Sequence, residues 1–268
     1  MKDYNMKQLK ELLQCAQDMY TNPNIETMFD ISENIKKYNS TTTSYIIKDI
    51  LPDLVTINPA IGIVKSELSN DQYESLKCII KSKENNLILA PRQTGKTTLL
   101  CYLTMLVCSK IPNTSLLLVG NGYYNLVDMY DIIITNLNLN CVDMIESYNK
   151  GKFIKLTNGS KIYFRTCKPD TGRGLSLNYI LIDEACYISH STFYDFLHCI
   201  MPCLVNTSPG KLVIISTPNP TTSGPVYDIY SDPEKYNFVF NKWAPKYNNV
   251  DYQGSNYNNE ILGEFNTP

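Results

Sequence analysis

Apolar positions along the chain follow two rhythms, and the change between them falls near residue 67. In residues 1–21, Met6, Leu9, Leu12, Leu13, Ala16, Met19 and Tyr20 recur at helical spacing until Asn22-Pro23 stops them. This predicts an amphipathic helix facing the main body or a partner. Residues 22–66 are polar and mixed, with a second helical pattern over 31–38 and an extended stretch over 54–64. Beyond Leu68 an amphipathic helix over 71–81 leads to the apolar run Leu87-Ile88-Leu89-Ala90. Further apolar runs follow at 116–119, 180–182 and 212–215, separated by helical patterns at 96–109, 125–137 and 191–204. Short continuous apolar strands alternating with helices predict an α/β fold whose mainly parallel sheet is covered on both faces. One insertion breaks the rhythm: Phe153-Ile154-Lys155-Leu156, the pair Asn158-Gly159, and Lys161-Ile162-Tyr163-Phe164 read as a β-hairpin. The organisation expected is a helical and extended N-terminal region over 1–66, serving as a lid or a partner-binding element. A core over 67–242 and a C-terminal segment over 243–268 follow.

Composition narrows the partners. With 268 residues, 43% of them hydrophobic and 19% charged, the chain has the make-up of a soluble globular protein with a full core. No N-terminal stretch joins basic residues to an apolar run, so no signal peptide is read. The longest apolar stretch, 97–108, is too short to cross a bilayer, and no membrane partner is expected. Nine cysteines without CxxC spacing, beside only His190 and His198, argue against a zinc site or a disulfide framework and for a reducing compartment. A formal charge of −2 argues against a broad basic surface, so nucleic acid would be met locally or by several subunits together. Against 21 lysines stand only three arginines, Arg92, Arg165 and Arg173. Each raises the question of why lysine would not do, and a planar fork of donors gripping phosphate is one answer.

The strongest chemical signal is Ala90-Pro91-Arg92-Gln93-Thr94-Gly95-Lys96-Thr97, directly after a predicted strand and before a predicted helix. A phosphate-binding loop needs a glycine where the backbone turns its N–H groups inward. It also needs a lysine reaching the β- and γ-phosphates and a hydroxyl for magnesium. Gly95, Lys96 and Thr97 supply these in order, and the helix N-terminus points at the phosphates. The expected ATP-binding stretch runs from Pro91 to Thr98, with Ala90 standing where the common pattern has its first glycine. The second signal is the apolar strand Tyr179-Ile180-Leu181-Ile182 ending in Asp183-Glu184. There Asp183 would hold magnesium, usually through water, and Glu184 would act as general base toward the attacking water. Gln72, one helix upstream of the loop, is placed where an amide could read the adenine edge. Ser216-Thr217-Pro218-Asn219, at the end of the strand 212–215, either senses the γ-phosphate or is a plain strand-to-loop turn.

With these residues side by side, the chain resembles the ATPase domain of the large terminase subunit, the genome-packaging motor of tailed phages and herpesviruses. The resemblance covers roughly residues 66–266. It rests on the loop Arg92-Gln93-Thr94-Gly95-Lys96-Thr97, the hairpin 154–162, Arg173-Gly174-Leu175-Ser176 ahead of Ile182-Asp183-Glu184-Ala185, Ser216-Thr217-Pro218-Asn219, and Asn259-Glu260-Ile261-Leu262-Gly263-Glu264-Phe265. It implies a RecA-like ASCE sheet in which the strand carrying Ser216 lies between the phosphate-loop strand and the Asp183 strand. It implies ATP and Mg2+ as cofactors, and Ser216, Thr217, Pro218 and Asn219 as the coupling motif. Arg92 would reach phosphates in its own site, and Arg173 would be the finger offered to a neighbour, unless it is a surface arginine pairing with Asp170. The partners implied are double-stranded DNA, the portal protein, the small terminase subunit, and further copies in a pentameric ring on an empty capsid. The setting implied is an infected host cell, in its cytoplasm, or in its nucleus for a nuclear-replicating virus. The chain stops where the family's RNase H-like nuclease would begin, so no DNA cleavage is expected of it.

Two other functions fit some of the same residues. The first RecA-like half of a superfamily-two helicase shares a Gln before the loop, an alanine-led loop and an Asp-Glu strand. It needs a second such domain, for which 268 residues leave no room beside 1–66. A nucleotide-dependent scaffold that binds without turnover would not need Lys96, Asp183 and Glu184 together.

Overall fold

A computed structural model of the chain describes residues 68–140, 144–204, 210–245 and 257–265. All but Leu68 belong to one compact unit, Ser69–Pro268. The helices expected over 1–21 and 31–38 and the extended stretch over 54–64 lie outside the described residues.

The unit opens with helix α1 (Asn70–Lys81), started by a capping box in which Ser69 and Gln72 exchange side-chain and backbone bonds. Strand β1 (Asn85–Leu89) follows and ends at the phosphate loop. The next elements are α2 (Lys96–Lys110), β2 (Ser115–Gly120), α3 (Tyr123–Asn140), β3 (Ile145–Asn149), β4 (Phe153–Leu156) and β5 (Lys161–Thr166). Then come β6 (Tyr179–Asp183), α4 (His190–Ile200), β7 (Lys211–Ser216), α5 (Pro225–Ser231), β8 (Phe238–Lys242) and the short α6 (Tyr257–Glu260).

The strands form one sheet in the order β3-β4-β5-β2-β6-β7-β1-β8. β5, β2, β6, β7, β1 and β8 run parallel, and at one edge β4 pairs antiparallel with both β5 and β3. β7 therefore lies between β1 and β6, the order that the resemblance implies. Since side chains alternate across a strand, Leu87, Leu117, Ile180, Ile182 and Ile214 join Phe193, Phe196 and Ile200 of α4 and Val226 and Ile229 of α5 in one core. On α2, Leu99, Leu100, Cys101, Leu103, Leu106, Val107 and Cys108 are all buried. A helix apolar on every side must be enclosed, and α2 contacts α1, α3 and the sheet.

The hairpin forms as predicted: β4 and β5 pair antiparallel, and Gly159 closes the turn at φ +87°. Four features depart from the sequence expectation. α4 ends at Ile200 instead of 204, because Pro202 lacks an N–H to continue the helix and a 3₁₀ turn, Met201–Cys203, takes over. β8 rests on three apolar residues, too few to stand out as a strand. β3 is exposed along nearly its whole length and so lacks an apolar signature. α5 is only two turns long. Among the described residues no helix is long and apolar enough to cross a membrane.

Candidate functional site

The phosphate loop leaves β1 at Ala90, whose N–H donates to the Ser216 carbonyl at 3.0 Å and so continues the sheet. This explains why alanine serves at that position: the left-handed residues of the loop are Gln93 (φ 58°) and Gly95 (φ 88°), not Ala90. At Gly95 the backbone favours glycine, and a Cβ there would stand 2.4 Å from Gln72 Nε2 and displace the end of that amide. The Pro91 carbonyl is the hub of the loop, accepting from Thr94 Oγ1 at 2.8 Å and from Lys96 Nζ at 2.9 Å. Gly95 caps α2 with no side-chain acceptor, which leaves N–H donors of the first turn for an anion. Lys96 is only 5% exposed, and its Nζ lies 3.8 Å from Glu184 Oε1. Burial holds its pKa below the usual lysine range, against the opposing pull of Glu184 and Asp183.

Asp183 and Glu184 meet this loop from the end of β6. The Thr97 hydroxyl donates to Asp183 Oδ2 at 2.9 Å, and the Glu184 N–H donates to Oδ1 at 3.0 Å. Asp183 is 2% exposed, and burial, with the Glu184 charge beside it, raises its pKa to about 6. Because the proton of the Thr97 hydroxyl is committed to Asp183, the hydroxyl's lone pairs remain for a hard cation. No group of three His, Cys, Asp or Glu able to hold a metal occurs among the described residues. The Thr97 hydroxyl and the Asp183 carboxylate fit Mg2+, which takes one or two protein oxygens and fills its octahedron with phosphates and water. Glu184 stands in the left-handed region (φ 53°, ψ 40°), a conformation costing a non-glycine residue roughly 1–3 kcal/mol. The turn swings its carboxylate back toward Lys96 and brings Oε2 within 3.4 Å of the Thr217 N–H.

The predicted coupling residues sit against this pair. Ser216 and Thr217 are fully buried and Pro218 is buried. Ser216 Oγ accepts from the Cys186 N–H at 3.1 Å, and Asn219 Nδ2 donates to the Cys186 carbonyl at 2.8 Å. Both backbone groups of Cys186, in the turn after Glu184, are thereby fastened to this motif. Thr217 Oγ1 is buried with no partner among the described residues.

The other predicted residues are placed differently. Gln72 Oε1 accepts the Ser69 N–H at 2.9 Å and its Nε2 donates to the Gly95 carbonyl at 3.0 Å, so its amide is engaged by the capping box and the loop. Arg92 has a side chain 61% exposed, with Nε 3.6 Å from Glu260 Oε1, and its N–H donates to the Glu260 carbonyl at 2.9 Å. Thr98 is half-buried on the first turn of α2. Arg173 is brought to none of these groups: its side chain is 74% exposed and pairs with Asp170 at 2.9 Å. Arg165 bonds the Thr171 carbonyl and so braces the loop that carries Arg173. β5, which leads into that loop, lies four strand spacings from β1, roughly 19 Å.

Sequence reasoning assigned no individual role to the residues of the segment 257–265. Asn259 Nδ2 donates to the Asn219 carbonyl at 3.2 Å, and Gly263 lies so close to Pro91 that a Cβ would be 2.9 Å from its Cδ. The segment thus touches the phosphate loop and the coupling turn together. In the sequence the stretch 259–265 was marked by the resemblance alone; in the structure Gly263 stands at φ +66°.

The family described as terminase large subunit, T4likevirus-type, N-terminal, matches residues 87–263. Among solved structures, the chain is similar to the large terminase ATPase domain of Thermus phage P74-26, at 15% identity and TM-score 0.56, covering 74% of this chain and 98% of that one. It is similar to the HK97 bacteriophage large terminase at 16% identity and TM-score 0.62, covering 80% of this chain and 47% of that one. The large terminase of a thermophilic bacteriophage, solved in complex with ADP, is similar at 14% identity and TM-score 0.59, covering 74% of this chain and 53% of that one. The chain therefore spans nearly all of an isolated terminase ATPase domain and about half of each longer large terminase. At these identities the structures show a shared RecA-like fold, and the family match covers the phosphate loop, Asp183, Glu184 and the coupling turn. The chain belongs to the large terminase subunit family, as its N-terminal ATPase domain.

Proposed function

We propose that this domain hydrolyses ATP and uses the energy to drive double-stranded DNA into a viral capsid. The observation that carries the reading is the meeting of two motifs 86 residues apart: Thr97 donates to Asp183 at 2.9 Å while Glu184 stands 3.8 Å from Lys96. A hydroxyl, a buried cation and two carboxylates converge there at the N-terminus of α2, which is what phosphoryl transfer to water requires. Two similar large terminase structures hold ADP and ATP-γ-S, which supports a nucleotide in this place.

The chemistry follows from the groups present. Glu184 orients a water and takes its proton as the water oxygen bonds to the γ-phosphorus. The bond from that phosphorus to the β–γ bridging oxygen breaks, and the electron pair leaves with ADP. Lys96, freed from the Pro91 carbonyl, neutralises charge on the β- and γ-phosphates. Thr97 and Asp183 would hold Mg2+, which supplies electrostatic stabilisation of the phosphate oxygens. Thr217 and Asn219, bonded to Glu184 and to the turn behind it, would carry the change in γ-phosphate contacts outward. Arg173, on its braced and exposed loop, would serve the site of the next copy in a pentameric ring, with portal protein and small terminase subunit as further partners. Arg92 would reach phosphate on leaving Glu260.

The test is ATP turnover by the purified chain, with and without double-stranded DNA. Lys96→Ala should abolish turnover and weaken ATP binding. Glu184→Gln should still bind ATP while turnover falls by roughly 10²-fold or more. Wild-type turnover in Lys96→Ala would sink the proposed site.

A further inference from the structure

The loop between β5 and β6 is held at its base and bare at its tip. Arg165 bonds the Thr171 carbonyl, Thr171 Oγ1 donates to the Thr166 carbonyl at 2.8 Å, and Gly172 is buried. Arg173 and Gly174, which follow, are exposed. The other support of this base is the end of α4. Cys203, in the 3₁₀ turn that closes the helix, donates its thiol to the Gly172 carbonyl at 3.1 Å, with the Cys199 carbonyl a remoter acceptor at 3.9 Å. Its own carbonyl accepts the Leu177 N–H at 2.9 Å. One residue thus grips the loop on both sides of Arg173. The packing agrees: a Cβ on Gly172 would lie 2.0 Å from Ile200 Cδ1 and 3.2 Å from Cys203 Sγ, so loop and helix end are in direct contact.

We infer that Cys203 is a positioning residue for Arg173, holding from the end of α4 the loop that would offer this guanidinium to a neighbouring copy. This rests on the proposed finger role of Arg173. A finger stabilises charge well only where its root stands still, because freedom left in the loop must be lost again at each encounter. The side chain, 74% exposed, need then only leave Asp170. The mount itself is firm. α4 starts just beyond the turn after Glu184, where Cys186 is bonded to Ser216 and Asn219, and its buried Phe193, Phe196 and Ile200 seat it in the core. Its 11 residues span about 16 Å, from a copy's own carboxylates to the loop that serves the next copy. A fault at Cys203 therefore shows in the neighbour's site and not in its own.

Cys203→Ala removes the thiol and leaves the phosphate loop untouched. On the whole chain, titration calorimetry should find ATP affinity within about twofold of wild type. Hydrogen exchange should quicken about threefold or more at the Leu175 and Leu177 amides and stay unchanged at Lys96 and Thr97. Under assembling conditions turnover should fall about fivefold to tenfold, and Cys203→Ser, which keeps a donor, should restore most of it. The deciding measurement is a mixture with Lys96→Ala, which is itself inactive but carries an intact finger. If each site borrows from its neighbour, an equal mixture should recover to roughly a quarter of wild type, above Cys203→Ala alone. A mixture giving about half the turnover of Cys203→Ala alone would place the fault in its own site and overturn the inference. Unchanged exchange at Leu175 and Leu177, or wild-type turnover, would overturn it as well. If Cys203→Ala does not fold, Gly172→Ala, whose Cβ would push the loop off Ile200, must show the same recovery. A mixture of Arg173→Ala and Lys96→Ala that assembles without recovering would instead overturn the finger role.

Discussion

Thr217 follows β7 with a hydroxyl that is fully buried and, among the described residues, has no hydrogen-bond partner, while its N–H reaches Glu184 Oε2 at 3.4 Å. Leaving a buried hydroxyl unpaired costs about 1–3 kcal/mol. Valine puts a methyl of nearly the same volume in its place and keeps the backbone donor. Thr217→Val should therefore stabilise the folded unit by about 1–2 kcal/mol, which for a unit of this size means a melting temperature higher by about 2–8 °C. The same change removes the hydroxyl of the residue whose N–H reaches Glu184, so turnover should drop by about tenfold or more. Thr217→Ser keeps the hydroxyl and loses the methyl, and should be less stable by about 1 kcal/mol while remaining active. Thermal melts and steady-state ATP turnover, run on the three proteins side by side, read both quantities. If Thr217→Val melts at or below the wild-type temperature, the hydroxyl is satisfied in the native fold and the reasoning fails.

Asp183 makes a prediction about pH. Its folded pKa, raised from 3.8 to about 6, means that the fold favours the protonated form. This contribution is fully present below pH 3.8 and is lost as pH rises through 6. Asp183→Asn should accordingly match the wild type near pH 4 and exceed it by up to about 3 kcal/mol at pH 7.5, measured by thermal melts without nucleotide. An advantage that does not grow with pH would remove burial as the cause. Arg173 makes a prediction about mixtures, since its finger role requires a neighbour. Arg173→Ala and Lys96→Ala should each be nearly inactive alone under assembling conditions, while an equal mixture should recover roughly a quarter of wild-type turnover. No recovery in a mixture shown to assemble would take the finger role from Arg173.

The parts of the fold legible in the sequence were those in which one stretch of chain carries its own signal. β1, β2, β6 and β7 are unbroken apolar runs because both faces of the sheet are covered. Lys96, Thr97, Asp183 and Glu184 stood out because each follows or ends such a run. β8 and β3 are edge strands, half-buried or exposed, so neither burial nor alternation marks them. The burial of α2 on every side hid its length less than Pro202 hid the true end of α4, which depends on one missing N–H. Gln72 shows a different limit. Its position one helix before the loop was visible, but the direction of its amide is decided by contact with Gly95, 23 residues away. Asn259 and Gly263 meet the site through Asn219 and Pro91, and no local pattern announces such a contact.

The hydrogen bonds of the phosphate loop divide it into two territories. The Ala90 N–H belongs to Ser216, Pro91 has none to give, and the Arg92 N–H belongs to Glu260. The first three residues thus have no backbone donor left for a ligand, and a phosphate would have to be met from Gln93 onward. Variation should be tolerated unequally across the two halves. At Ala90 a residue must be small enough for the buried end of a strand, but it need not be glycine. From Gln93 to Lys96 the constraint is on the backbone, and a side chain that forbids φ > 0 at Gly95 would damage the cradle and press on the Gln72 amide as well.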